Sequence, residues 1–336
     1  MAPQRDPVER RADEETDLHG VATWEVRSVL DRFWVLLHSL LVSGLRAFLV
    51  LLGLCLLVLQ VVFGALLSPE AAVFTLLSAV PAFLLAGYVW YADVTTAEPL
   101  DLVGVAFVLG VLFAGFAGVL NTATRAVLAA LGLDSGLVGF VFLALTFFVV
   151  VGPVEETVKL LAVYLYPYRS PRFDAVIDGA VYGAVAGLGF ATIENAIYIS
   201  GMVEGVSDPL NLVVAGSAGA IVRGLAGPGH VIYSAFAGYY LGLAKFNPER
   251  AGPLVLKGLV IAALIHAVYN SLSSVVPAAV AGLTGLPSFP VVVAFILVYD
   301  GVFGFVLYRK IARYRRAYHD ARDDGDNPPE LTEFDG

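Results

Sequence analysis

Apolar residues run in long blocks along most of the chain, and polar residues gather between the blocks. Several blocks reach the roughly 20 residues that carry a helix across the hydrocarbon core of a bilayer. Strands of a membrane barrel would instead alternate over about ten residues. The pattern predicts an all-α, polytopic transmembrane helical bundle of about eight spans. Five of them are 44–67, 71–91, 101–120, 137–165 and 174–200. A sixth begins between 211 and 229 and ends near Phe246, and 254–275 and 288–308 complete the set. Two stretches have more than one reading. Residues 31–41, DRFWVLLHSLL, are an interfacial helix or part of the first span. Residues 211–230 read as a short re-entrant helix and then a break at Gly227-Pro228-Gly229, because irregular backbone at membrane depth survives where protein or water surrounds it.

Composition supports the membrane reading. Of 336 residues, 58% are hydrophobic and only 15% charged, and the mean hydropathy is +0.80; a soluble domain has about 25% charged residues. Much of the net charge of −9 comes from the ends. This divides the chain into a polar tail (1–30), a transmembrane bundle (31–311) and an acidic tail expected to be disordered (312–336). The N-terminal stretch lacks the apolar core and cleavage site of a signal peptide. Cys55 is the sole cysteine, so neither an intramolecular disulfide nor a thiolate metal cluster is available. Nothing basic and aromatic suggests nucleic acid. The partners implied are the lipid bilayer and whatever lies within it. Arginines and lysines of the N-terminal tail, of the loops near 169–172 and 245–257, and of YRKIARYRR fall on one side if both termini are cytoplasmic. The chain is therefore expected in the cell membrane, crossing it several times.

Charges inside the spans carry the chemistry. In VGPVEETVKL, residues 151–160, Glu155 and Glu156 stand within reach of Lys159 on the same helix. Adjacent residues point about 100° apart, so one acid can face a cavity while the other braces a neighbour. Pro153 is expected to kink or open the backbone just before them. Counted from the inner end of its span, Glu155 lies roughly 16 Å deep. A carboxylate at that depth is costly and marks a functional site by default. LIHAVYN places His266 and Asn270 one turn apart at roughly 18 Å, and His230 follows the expected break at roughly 24 Å. Such a break would free backbone N–H groups for an oxyanion. Glu194 and Asn195 close a helix striped by Gly179, Gly183 and Gly187, spaced for close packing. Arg223 is suited to hold a carboxylate or a peptide carbonyl. A carboxylate with a histidine can deprotonate water, and His266 with Asn270 can stabilise a tetrahedral oxyanion. HExxH is absent. Rival readings are an ion-coupled transporter, which predicts inverted repeats that are not evident, and an inactive scaffold.

EETVK at 155–159, DGAVYGAVAGLGFATIEN at 178–195, GPGH at 227–230 and HAVYN at 266–270 together resemble the PrsW family of intramembrane proteases, itself similar to the CAAX-prenyl endopeptidase and bacteriocin-processing group. The resemblance covers 137–275, the expected catalytic core. It implies an intramembrane endopeptidase acting on a membrane protein or membrane-tethered peptide, such as an anti-sigma factor. It implies that Glu155 activates water with His230, that Glu156 supports it, and that His266 and Asn270 form the oxyanion pair. Lys159, Glu194, Asn195 and Arg223 are supporting residues. The wider group has phenylalanine where this chain has Ala226 and arginine where it has Lys159. Its members are described as both glutamate-type and metal-dependent. The expectation here is metal-free hydrolysis with no cofactor, because no three strong ligands sit at tight local spacing. Zinc on Glu155, His230 and His266 is the alternative.

Overall fold

In the computed structural model, residues 17, 19, 23–62, 69–93 and 98–326 are described, and nearly all of these lie in helices. Eight helical stretches among them are long and apolar enough to cross a membrane. Two compact units divide the chain, Met1–Leu51 and Leu52–Gly336. The first contributes the start of helix α1 (Val29–Val62). Residues 31–41 lie inside this unbroken helix, which settles them as helical without a separate interfacial segment. The tail expectations for 1–16 and 327–336 concern residues outside those described.

The second unit contains α2 (Pro69–Tyr91), α3 (Leu100–Ala130), α4 (Gly136–Thr146), a π-turn (Phe147–Val151), α5 (Gly152–Leu165), α6 (Val176–Val203), α7 (Pro209–Lys245), α8 (Ala251–Thr284) and α9 (Ser288–Asp326). Helix α9 continues past the last apolar block, so residues 312–326 are helical where the acidic composition suggested a tail.

Helix α6 lies at the centre of this unit, with 19 of its 28 residues buried. It packs against α2, α3, α5 and α7. A helix this buried must be apolar or small on every side, and DGAVYGAVAGLGFA is both. Its N-terminus is held by Asp178, whose Oδ2 accepts from the backbone N–H of Asp174 (2.7 Å) and Ala175 (2.8 Å). The glycine stripe brings α6 onto the α7 backbone. A Cβ at Gly183 would lie 3.0 Å from the Ser234 carbonyl carbon, and one at Gly187 2.9 Å from that of His230. With no hydrophobic drive between helices in lipid, such backbone-to-backbone contact is what holds them together.

Two local features position the site. The first is the π-turn ahead of α5. Pro153 cannot donate a hydrogen bond and its ring crowds the preceding turn. The widened turn relieves this, and the Gly152 N–H reaches back to the Phe147 carbonyl. The opening expected near Pro153 is thus a π-turn that resets the rotation of α5. The second feature corrects an expectation. Helix α7 runs unbroken through Gly227-Pro228-Gly229, so there is no re-entrant piece and no break before His230. Flanking glycines let neighbours pack against the proline's turn: a Cβ at Gly227 would stand 3.3 Å from Ala82 Cβ of α2. A proline inside a helix also frees a carbonyl four residues earlier rather than an N–H. The polarity is wrong for an oxyanion, so the free donors expected there do not arise.

Candidate active site

The residues singled out from α5, α6, α7 and α8 meet in one buried cluster. Glu155 and His266 are each 2% exposed, His230 5%, and Glu156 fully buried. The His230 and His266 rings are 5.2 Å apart between centroids and nearly perpendicular. The offset in depth estimated along straight helices is therefore closed by packing.

Adjacent glutamates on α5 have different partners. Glu156 Oε1 accepts from Lys159 Nζ at 2.7 Å and lies 2.9 Å from His266 Nδ1. Its Oε2 takes a 3.4 Å bond from Ser234 Oγ of α7. Both its oxygens are thus engaged. Glu155 Oε1 accepts from Asn121 Nδ2 of α3 at 2.9 Å. Its Oε2 is buried without a hydrogen-bond donor, 3.7 Å from His266 Nε2 and 3.9 Å from Lys159 Nζ.

His230 is bracketed in the same manner. Its Nε2 lies 2.7 Å from Glu194 Oε2 of α6, and its Nδ1 lies 2.9 Å from Lys159 Nζ. Glu194 is in turn paired with Arg223 of α7. Arg223 Nε donates to Asn195 Oδ1 at 2.9 Å, and Asn195 Nδ2 donates to Ser78 Oγ of α2 at 3.0 Å. The chain of contacts runs from α2 through α6 and α7 to the histidine. Lys159 also rests 4.3 Å from the Phe190 ring centroid, a cation–π contact.

Asn270 is half-buried one turn beyond His266, and its side-chain amide makes no hydrogen bond among the described residues. His266, by contrast, faces a glutamate with each ring nitrogen.

Four residues of the cluster were not singled out from the sequence. Ser78, Asn121 and Ser234 are small polar residues whose importance shows only through partners 117, 34 and 78 residues away. Asp300 had a readable signal: it is a lone acid within VVVAFILVYDGVFGFVLY. It is 8% exposed and accepts from Tyr233 Oη at 3.2 Å. The Tyr233 ring lies 5.3 Å from the His266 ring.

Comparison with known proteins decides the family. The profile described as "PrsW family intramembrane metalloprotease" matches residues 98–299. The chain belongs to that family. Protease PrsW of Geobacillus kaustophilus is 32% identical over 200 residues, covering 59% of this chain and 79% of that protein. Protease PrsW of Bacillus subtilis is 35% identical over 121 residues, covering 35% of this chain and 50% of that protein. Protease PrsW of Clostridioides difficile is 33% identical over 125 residues, covering 37% of this chain and 49% of that protein. No solved structure matches. The chain is thus a multi-pass membrane protease of the PrsW family, and the matched region contains Glu155, Glu156, Lys159, Glu194, His230 and His266.

One expectation shifts accordingly. Metal-free hydrolysis was favoured because no three ligands are close in sequence. In the fold, Glu155, His230 and His266 each bring a ligand atom within 4.8 Å of the others. The family description and this cluster both favour the metal alternative.

Proposed function

We propose that the chain hydrolyses a peptide bond of a membrane-embedded or membrane-tethered protein, at a divalent metal site made by Glu155, His230 and His266. The observation that carries this reading is the convergence of those three side chains from three helices, together with a Glu155 oxygen that is buried and has no donor.

The residues fit a metal such as zinc on three grounds. Two imidazoles and a carboxylate are a ligand set found in catalytic zinc sites. Tetrahedral ligands about 2.1 Å from a metal lie about 3.4 Å apart, and His266 Nε2 stands 3.7 Å from Glu155 Oε2. Formal charge also leaves room for a cation: the buried Glu155 and Glu156 and the partly buried Glu194 face two permanent cations, Lys159 and Arg223. When bound, such an ion supplies Lewis acidity toward the scissile carbonyl and the attacking water.

The remaining residues orient this set. Glu156 beside His266 Nδ1, and Glu194 beside His230 Nε2, are the carboxylate partners that fix a ligating imidazole's tautomer and tilt. Each holds the proton on one nitrogen and leaves a lone pair on the other. The lone pair of His230 Nδ1 serves one cation at a time, Lys159 or the metal. Asn121 fixes Glu155 through Oε1 and leaves Oε2 to take a proton from water or to bind. Asn270 keeps a free amide for the oxyanion of a bound peptide. We take the face carrying Arg169, Lys245 and Arg309 as cytoplasmic, with both termini on that side.

The test uses full-length protein in proteoliposomes with a membrane-anchored reporter. Cleavage should stop on chelation and return with added zinc. Glu155→Gln should abolish cleavage while the unfolding midpoint stays within a few degrees of the wild type. Cleavage that persists after exhaustive chelation but is lost in Glu155→Gln would replace the metal by glutamate-driven hydrolysis. Undiminished cleavage by Glu155→Gln would remove this cluster from the reaction altogether.

A further inference from the structure

A groove of about 840 Å³ opens between α7, α8 and α9, away from the histidine cluster. Its walls toward the middle of the spans are apolar: Phe236, Ile261, Leu264, Phe303 and Val306. At the end nearest the α7 C-terminus it is rimmed by Arg309, Lys310, Arg313 and Arg316. No carboxylate lines it, and none of these four cations has an acidic partner within 4 Å among the described residues. Lys310 instead rests over two aromatic faces, 4.3 Å from the Tyr239 ring centroid and 4.6 Å from that of Tyr240.

We infer that this groove binds an acidic phospholipid, with its phosphate among the four cations and an acyl chain along the apolar wall. Charge complementarity selects the headgroup. Four cations with no acidic partner among the described residues call for counter-charge, and a basic pocket between spans at the membrane surface meets anionic headgroups there. The apolar wall selects a lipid over a soluble anion. Leu264 and Val306 are about half exposed, and only an amphiphile covers them and the cations together. Lengths agree as well: Phe303 to Arg316 spans roughly 20 Å of helix, against about 15 Å for one leaflet of the hydrocarbon core. The acidic end of this chain can answer the charge, but its run DARDDGDNPPE has no apolar stretch for the wall.

Titration of purified full-length protein in neutral detergent, read by native mass spectrometry, tests this. Phosphatidylglycerol should bind as one tight equivalent, well ahead of phosphatidylcholine. A basic group at an anionic interface is worth about fivefold in affinity. The variant Arg309→Gln/Lys310→Gln/Arg313→Gln/Arg316→Gln should therefore weaken phosphatidylglycerol at least 25-fold. Arg169→Gln/Arg250→Gln, which removes two cations outside the groove, should not. Leu264→Trp, which fills the apolar wall without changing charge, should also weaken it. Equal affinity for both lipids, or equal loss in the two charge variants, overturns the inference. Glycerol phosphate competing as well as the whole lipid would make this a free-phosphate site and would equally overturn it. So would a tight equivalent that appears only after Asp323, Asp324 and Asp326 are changed to asparagine, since the chain's own end would then be the occupant.

Discussion

Replacing Gly187 with alanine tests the link between helix packing and the site most directly. An added Cβ would lie 2.9 Å from the carbonyl carbon of His230 and 2.9 Å from Ser234 Oγ, where ordinary contact begins at 3.4 Å. The shortfall is about 0.5 Å, and the His230 carbonyl oxygen is closer still. The obstacle is backbone, so no side-chain rotation relieves it. Helix α7 must move off α6 at the very residue that presents an imidazole to the cluster. A misplacement of 1 Å in a catalytic group costs about 100-fold in rate, so 0.5–1 Å is expected to cost about 10- to 100-fold. Overpacking costs about 1–3 kcal/mol, against a gain of about 1 kcal/mol from replacing glycine inside a helix. The net change in stability is small, about 0–2 kcal/mol, so activity should fall much further than folding does. Gly104→Ala is the control: it lies within α3 and its Cβ would meet nothing within 4 Å. It should keep full activity. Reporter cleavage in proteoliposomes, beside the unfolding midpoint in detergent, separates the two effects. Wild-type rates from Gly187→Ala would refute the claim that α6–α7 contact sets the position of His230.

Other perturbations follow from the same contacts. Arg223→Gln leaves the partly buried Glu194 with His230 alone and should destabilise by up to about 3 kcal/mol, less than breaking a fully buried pair; Arg223→Gln/Glu194→Gln should recover much of this in an unfolding titration. Asp300→Leu strands the Tyr233 hydroxyl at a cost of about 1–3 kcal/mol and should slow cleavage, whereas Asp300→Asn retains an acceptor and should do neither. Outside the spans, burial pushes the Glu98 carboxyl up to about 8 from 4.5, opposed by its bond from Tyr182 and reinforced by Asp178. Between those values the folded chain holds a proton that the unfolded chain has released, so stability should decline as pH rises from about 4.5 to about 8. Unfolding midpoints across that range should flatten in Glu98→Gln.

Much of the scaffold was legible because hydrocarbon imposes one rule, that apolar blocks be helical and about 20 residues long. The failures came where a local rule met tertiary contact. Pro228 between two glycines reads as a break, yet α2 and α6 pack closely enough around that turn to keep α7 whole. The absence of close-spaced ligands put metal-free hydrolysis ahead of zinc, whereas the cluster and the family description favour the metal alternative. Spacing along a chain limits only ligands on one helix, whereas Glu155 and His266 meet across 111 residues. Asn121, Ser78 and Ser234 had no visible signal, since a small polar residue in a span is cheap and common. Asp300 did have one, by the same cost argument that singled out Glu155.

Paired glutamates in an apolar span have a physical reason in this geometry. A single buried acid cannot both anchor the assembly and react. To anchor, it must be held by donors on each oxygen, and those donors stabilise the charge that reaction would remove. Glu156 is in that position, held by Lys159, His266 and Ser234. To react or to ligate, an acid must keep one oxygen uncommitted, which is costly in a dry interior unless a nearby cation compensates. Glu155 is in that position, with Asn121 on one oxygen and the other facing His266 and Lys159 without a donor. Successive residues on a helix diverge by about 100°, so EE is the shortest sequence that supplies both roles from one turn. Lys159 lies within 4 Å of both acids and so lowers the cost of burying each. Under the proposed function the anchor would also align the reacting acid's partner, because the histidine that Glu156 holds by Nδ1 is the one whose Nε2 faces Glu155.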